Sequence, residues 1–208
     1  YIESCVEEKL IEEFRERRIY GGRNSLEFRP SDNRNHPFYN YNVLNKPTDN
    51  LPAINIISQE IARNIETHIK NDGCSLDTFR NNFEISERKD LVSAVVSISD
   101  DFVVLNLKYP IIVKRGESEL KFEAYEITLE DNFGEVYGLV RRILNGFAGG
   151  STDDISDYCF NYRDLFCFSD PRNDFTLIEI VNIKDLPQAG NAVDPGLEFS
   201  FVIVRWKN

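Results

Sequence analysis

Apolar residues recur along this chain in two periods, and the switch between them divides the sequence into elements. Ile2, Val6, Leu10 and Phe14 stand four apart, with Cys5 and Ile11 widening the stripe. That spacing predicts an amphipathic helix running to about Arg18 and stopped by Gly21 and Gly22. The Asn-, Asp- and Pro-rich stretch from Arg23 to Pro52 reads as mostly loop, with strand-like pieces at 26–28 and 38–41. Ile54, Ile57, Ile61, Ile65 and Ile69 then return to helical spacing, and Gly73 ends this second helix.

From Leu91 the period becomes two. Leu91 to Ile98, Phe102 to Val113 and Leu120 to Leu129 form a three-stranded meander, with turns at Asp100-Asp101 and Gly116. Val92, Ala94, Val96 and Ile98 share one face of the first strand; Val103, Leu105, Leu107 and Tyr109 share one of the second before Pro110 interrupts. In the third, Leu120, Phe122 and Ala124 have one parity and Tyr125, Ile127 and Leu129 the other, which predicts a bulge near Ala124. Asp131 or Asn132 stands where a cap belongs for a third helix, whose stripe is Phe133, Val136, Tyr137, Val140, Ile143, Leu144 and Phe147. A polar segment follows, then Phe175 to Ile183 and Leu197 to Trp206 read as two strands of a hairpin.

This order predicts an α+β domain: an antiparallel sheet, made of the three-stranded meander plus the C-terminal hairpin, packed with two to three amphipathic helices. The expected organisation is a single extracytoplasmic domain over 1–208, helical and loop-like at 1–73, with a sheet-plus-helix core at 91–208. Meander and hairpin are expected to share one sheet under the third helix, with Leu105 in the core and Trp206 at least partly buried.

The four cysteines fall as two separated pairs, Cys5 with Cys74 and Cys159 with Cys167. Two disulfides are the natural reading, one tying the ends of the first two helices together, and they place the chain in an oxidising compartment. The alternative is four buried thiols. A zinc site is disfavoured because no C-x-x-C occurs and His36 and His68 lie at no ligand spacing.

A net charge of −11 repels phosphate backbones, which argues against a nucleic-acid partner. The nearest basic run, Arg15, Arg17, Arg18 and Arg23, is interleaved with Glu12, Glu13 and Glu16 and reads as an exposed helix face with intrahelical ion pairs. No apolar stretch approaches the roughly 20 residues that span a bilayer. The absence of methionine, and a first helix already in phase at Ile2 without a capping residue, predict a processed chain with a segment missing upstream. Tyr1 is then expected to be exposed at one end of the domain, its helix axis pointing outward.

Signatures of hydrolases, NTPases and dinucleotide enzymes are missing: there is no G-x-S-x-G, Walker A loop, G-x-G-x-x-G or H-E-x-x-H. His36 and His68 read as packing or surface residues. Asp100-Asp101 and Asp153-Asp154 would serve as a glycosidase-type acid and base only if folding brought two carboxyls across a cleft. Turn chemistry explains the first pair and helix-start charge the second. Asp170, Asn173 and Asp174 form a weak Ca²⁺ candidate that lacks EF-hand spacing. No cofactor and no other metal site is expected.

Several spacings carry a resemblance. Glu3-Ser4-Cys5 opens a helix closing on Gly21-Gly22, and Pro37-Phe38-Tyr39 precedes the isoleucine-spaced helix that ends near Cys74. Tyr109-Pro110 stands ahead of Lys114-Arg115-Gly116, Gly134-x-x-Tyr137 starts the third helix, and Phe199-x-Phe201 lies in the last strand. In these features the chain resembles uncharacterised extracytoplasmic proteins of small-genome (DPANN-type) archaea. The resemblance implies a type IV pilin-like N-terminal membrane anchor, absent from these residues, that holds the domain outside the cell. The stretches 23–35 and 170–173 have no clear counterpart in that group.

Two functional readings follow. The first is a noncatalytic cell-surface module, anchored outside the membrane or assembled into a surface structure such as a filament, for adhesion or partner contact. Its partners would be other surface proteins or copies of itself, with the membrane reached only through the missing anchor. The second is a secreted or surface carboxylate-based hydrolase, which requires a concave site with converging carboxylates.

Overall fold

Most elements follow their local signals in the computed structural model, which describes residues 1–19, 38–39, 41–43, 46–48, 51–148, 155–162, 165–171, 175–182 and 197–204. The helices are α1 (Ile2–Ile19), α2 (Ile54–Lys70), α3 (Phe133–Ala148) and α4 (Ile155–Cys159). The strands are β1 (Phe38–Tyr39), β2 (Tyr41–Val43), β3 (Lys46–Thr48), β4 (Glu84–Glu87), β5 (Ser93–Ile98), β6 (Phe102–Arg115), β7 (Ser118–Glu130), β8 (Leu165–Pro171), β9 (Phe175–Asn182) and β10 (Leu197–Val204). The class is α+β with antiparallel sheets, as the pattern predicts. Contacts gather the chain into two compact units, 1–13 with 54–131 and 14–53 with 132–208, which cuts across the division at 73 and 91.

In the first unit β6 is the central strand. β5 and β4 pair with successive stretches of one edge, Ser93–Ile98 against 103–108 and Glu84–Glu87 against 111–114, while β7 runs along the other. Lys108 faces Ala124 and Ile111 faces Phe122, so the extra residue lies on β6 at Tyr109–Pro110 and not on the third strand near Ala124. Pro110 has no N–H to give a ladder, and a bulge is where a strand accommodates that loss. The bulge also produces the parity change on β7: partners of the odd apolar positions of β6 are Leu129, Ile127 and Tyr125 before it, and Phe122 and Leu120 after it.

The helix that packs on the meander is α2, through β5, with Ile57, Ile61, Ile65 and Ile69 buried. The Ala94 backbone N–H donates to Glu66 Oε1 at 2.9 Å, which fixes helix against strand. On α1, Ile2, Val6 and Leu10 are buried, and so is Glu13, which accepts from Asn64 Nδ2 at 2.7 Å and pairs with Lys9 Nζ at 3.2 Å. Two expectations for this helix fail. Ile11 is 51% exposed and Arg17 only 2%, because a 3.6-residue period carries the buried stripe from Leu10 and Phe14 to positions 13 and 17.

In the second unit the strand order is β1-β10-β9-β8, with β1 parallel to β10 (Phe38 opposite Val202) and the other pairs antiparallel. Meander and terminal hairpin therefore lie in different sheets, contrary to the single sheet expected. β8 comes from the segment that reads as merely polar, and it supplies the hairpin with a third strand whose Leu165 is buried while Phe166 and Phe168 are exposed. Helix α3 lies next to β10 and α4, with Phe133, Val136, Tyr137, Leu139, Val140, Ile143 and Leu144 buried. The Tyr137 hydroxyl donates to the Pro52 carbonyl at 2.9 Å, and the Phe14 and Phe133 rings meet edge-on at 5.1 Å. Trp206 lies outside the described residues.

Candidate functional site

Both cysteine pairings hold. Cys5–Cys74 joins the first turn of α1 to the segment after α2 with Cα atoms 5.9 Å apart, and Cys159–Cys167 joins α4 to β8 with Cα atoms 6.0 Å apart. Disulfides persist in oxidising surroundings, which fits a noncytoplasmic protein. No described helix is long and apolar enough to cross a membrane.

Spacing alone missed the neighbour of the first disulfide. The ligand atoms of Cys5, His68 and Cys74 all lie within 4.8 Å of one another. With the two sulfurs bonded to each other, neither has a thiolate to give a metal. The ring of His68 lies so close over Gly73 that a Cβ there would collide with it. This close approach, and not a left-handed conformation, is what requires glycine at 73. The left-handed residue at the end of α2 is Asp72, with φ 64°, a conformation that a short polar side chain tolerates.

Asp100 and Asp101 are exposed at the turn between β5 and β6, where Ser99 N–H donates to the Phe102 carbonyl at 2.9 Å. Asp170 sits in β8 opposite Leu177, while Asn173, Asp174, Asp153, Asp154 and His36 lie outside the described residues. Glu87 of β4, whose side chain is 6% exposed, accepts from the Tyr109 hydroxyl and pairs with Arg80, with Lys89 Nζ at 3.8 Å. Burial first, and then Glu87, push the Tyr109 phenol far above its ordinary range. Through Glu87, the Tyr109 hydroxyl of β6 and the cations of Arg80 and Lys89 on either side of β4 are held together, which links β4 to β6.

What the first unit does build is an apolar groove with about 430 Å³ of room. One wall is the start of α1, Tyr1, Ile2 and Glu3; a second is Leu76, Phe79 and Phe83 from the segment after α2. The floor and far side are Ile85 of β4, Ile111 and Val113 of β6, and Leu120, Phe122 and Tyr125 of β7. Across the register Ile85 faces Val113 and Val113 faces Leu120, so three strands present one apolar row. Leu120 is 62% exposed, Phe122 45% and Tyr1 60%.

Local chemistry holds the walls in place. The Cys5–Cys74 bond ties the start of α1 to the chain two residues before Leu76. The Tyr1 hydroxyl donates to the Ser75 carbonyl at 2.9 Å, and its ring meets Phe79 edge-on at 5.2 Å. Tyr1 is therefore exposed yet held against 75–79. Ser75 Oγ accepts from Asp77 N–H at 3.2 Å, and Arg80 donates to Asp77 Oδ1 at 3.1 Å and to the Ile85 carbonyl at 2.7 Å, which sets the 3₁₀ turn at Asp77–Phe79. The Arg115 guanidinium lies 5.7 Å from the Phe83 ring centre, at cation–π distance.

The groove's polar chemistry is sparse. Glu3 contributes a carboxylate, and no Lys or Arg among the described residues pairs with it. Burial, and then the negative charge of Glu3, push the Tyr125 phenol up to about 12. The lining offers shape, apolar area and one negative charge, an arrangement suited to holding a ligand. The sequence carried two signals of it: the parity switch at 120–125, and Phe79 and Phe83 in a stretch without periodicity. No family model, curated protein or solved structure matches the chain, so the groove's chemistry has to be read from its own residues.

Proposed function

We propose that this protein is a noncatalytic module displayed outside the cell, anchored at its surface or assembled into a surface structure, and that it acts by partner contact through the groove of its first unit. The observation that carries this reading is the open apolar groove, whose large side chains stay half or more exposed at Leu120 and Tyr1 and nearly so at Phe122. Soluble domains rarely leave a contiguous apolar concavity unoccupied, and such patches mark contact sites. The two disulfides support an oxidising location, and the resemblance described above supports surface display.

A photo-crosslinking residue at Leu120, in full-length protein on the cells that produce it, tests this reading against the same residue at Val95, which is 62% exposed on β5. A discrete adduct from position 120 and none from position 95 is the expected outcome. Equal labelling at both positions, or recovery of the protein from the cytosol with reduced cysteines, would overturn it.

A further inference from the structure

The two units differ in charge far more than in size. Residues 1–13 and 54–131 carry 20 Asp and Glu against 10 Lys and Arg, a net −10 of the chain's −11, whereas the rest carries 15 against 14. The groove lies wholly in the acidic unit. Its one charged lining residue is Glu3, and the nearby lysines of the hairpin tip are already engaged: Lys114 and Lys121 both pair with Glu119, at 2.8 and 3.1 Å.

The strand beside the groove supplies a second, independent feature. β7 is 13 residues long and pairs with β6 alone, so its other edge has no strand partner among the described residues. A long edge strand is a template for adding an extended chain, with main-chain groups giving affinity and pockets for alternate side chains giving specificity. β7 offers both, since Leu120 and Phe122 stand two apart on it and line the groove.

Charge decides between possible occupants. A second copy presenting the same unit would bring −10 against −10, and anionic lipid or nucleic acid would meet the same repulsion. A cationic partner would be drawn in. Resting on the reading of the groove as the contact surface, we propose that its occupant is an extended peptide segment of a partner protein, with alternating apolar side chains flanked by lysine or arginine. The apolar side chains seat against Leu120, Phe122 and Phe79, and the flanking cation meets Glu3.

The test uses oxidised full-length protein and three fluorescent peptides with one apolar pattern, flanked by Lys, Gln or Glu, followed by polarisation. The Lys peptide is expected to bind one to one and about tenfold tighter than the Gln peptide at low salt, an advantage that shrinks as salt rises. Glu3→Gln should weaken the Lys peptide about threefold, the size of one exposed ion pair, and leave the Gln peptide unchanged. Leu120→Lys should abolish binding of both; since Leu120 is 62% exposed the variant should fold, and Phe122→Ala provides a second check. Equal affinity for all three peptides, lost in Leu120→Lys, would overturn the cationic partner while leaving the groove as the contact surface. If no peptide binds yet the adduct at 120 still forms, the peptide class is wrong and the groove reading survives. Dimers in sedimentation that Leu120→Lys dissolves would make a second copy the occupant, and binding to anionic vesicles would make it a membrane; either overturns the proposal.

Discussion

The unit made of 1–13 and 54–131 and the unit made of 14–53 and 132–208 solve different problems with one chain. The first pairs strands that are close in sequence, closes a disulfide across a separation of 69 residues, and concentrates nearly all the net charge. The second is close to neutral, bridges cysteines only 8 apart, and seats β1 beside β10, bringing Phe38 opposite Val202. An apolar groove on a neutral body invites self-association, whereas the same groove on a strongly acidic body is repelled by another acidic unit of its kind and by phosphate surfaces. Charge and apolar exposure in the first unit therefore act together.

Cross-links give the sharpest way to break that comparison. In the chain-entropy model, losing Cys5–Cys74 through a double Ser substitution should cost about 4 kcal/mol, and losing Cys159–Cys167 about 2.5 kcal/mol, because the longer loop restricts the unfolded chain more. Urea titrations of the two variants read the difference. Equal costs would mean that native-state effects dominate at one of the bridges. Core truncation comes next: Leu105→Ala on β6 and Leu139→Ala on α3, each fully buried, should each cost about 2–5 kcal/mol. Hydrogen exchange should report the first chiefly in β5–β7 and the second in α3; a change under about 0.5 kcal/mol for Leu105 would mean its side chain is not in the core.

Two glycines then test packing, Gly73 in the turn after α2 and Gly146 within α3. At Gly73 an added methyl meets the whole His68 ring, at Gly146 chiefly the hydroxyl end of Tyr158. Gly73→Ala should therefore destabilise by about 1–3 kcal/mol, while Gly146→Ala stays under about 1 kcal/mol, since the tyrosine tip can swing aside and alanine favours the helix. Thermal unfolding of the pair decides it, and a reversed order would show that the His68 ring yields more easily than Tyr158.

The smallest expected effect is electrostatic. Tyr125 ionises near 12 in the folded protein against 10 when unfolded, so the unfolded state loses its proton first. The contribution is complete below pH 10 and is lost as pH rises from 10 towards 12. Ultraviolet titration, with Tyr125→Phe to isolate the signal, should show this late phenol. Glu3→Gln should move its midpoint down only part of the way, because burial is the larger cause. No movement would place Glu3 too far from the groove to read a ligand's charge.

Periodicity by itself determined α1, α2, α3 and the β5–β7 meander, because each is a local pattern whose apolar face repeats at 3.6 or 2 residues. Helix-end placement for one pair and short separation for the other pointed to the cysteine pairing, with four buried thiols as the alternative, and the structure holds both bonds. Tertiary structure alone decided that Arg17 is buried, that the bulge sits at Pro110, and that meander and hairpin lie in separate sheets. It alone decided the groove, whose walls come from residues 1–3, 76–85 and 111–125. Local sequence specifies which face of an element is apolar, whereas which faces meet, and which stay open, depends on contacts between residues far apart in the chain, for which periodicity carries no signal.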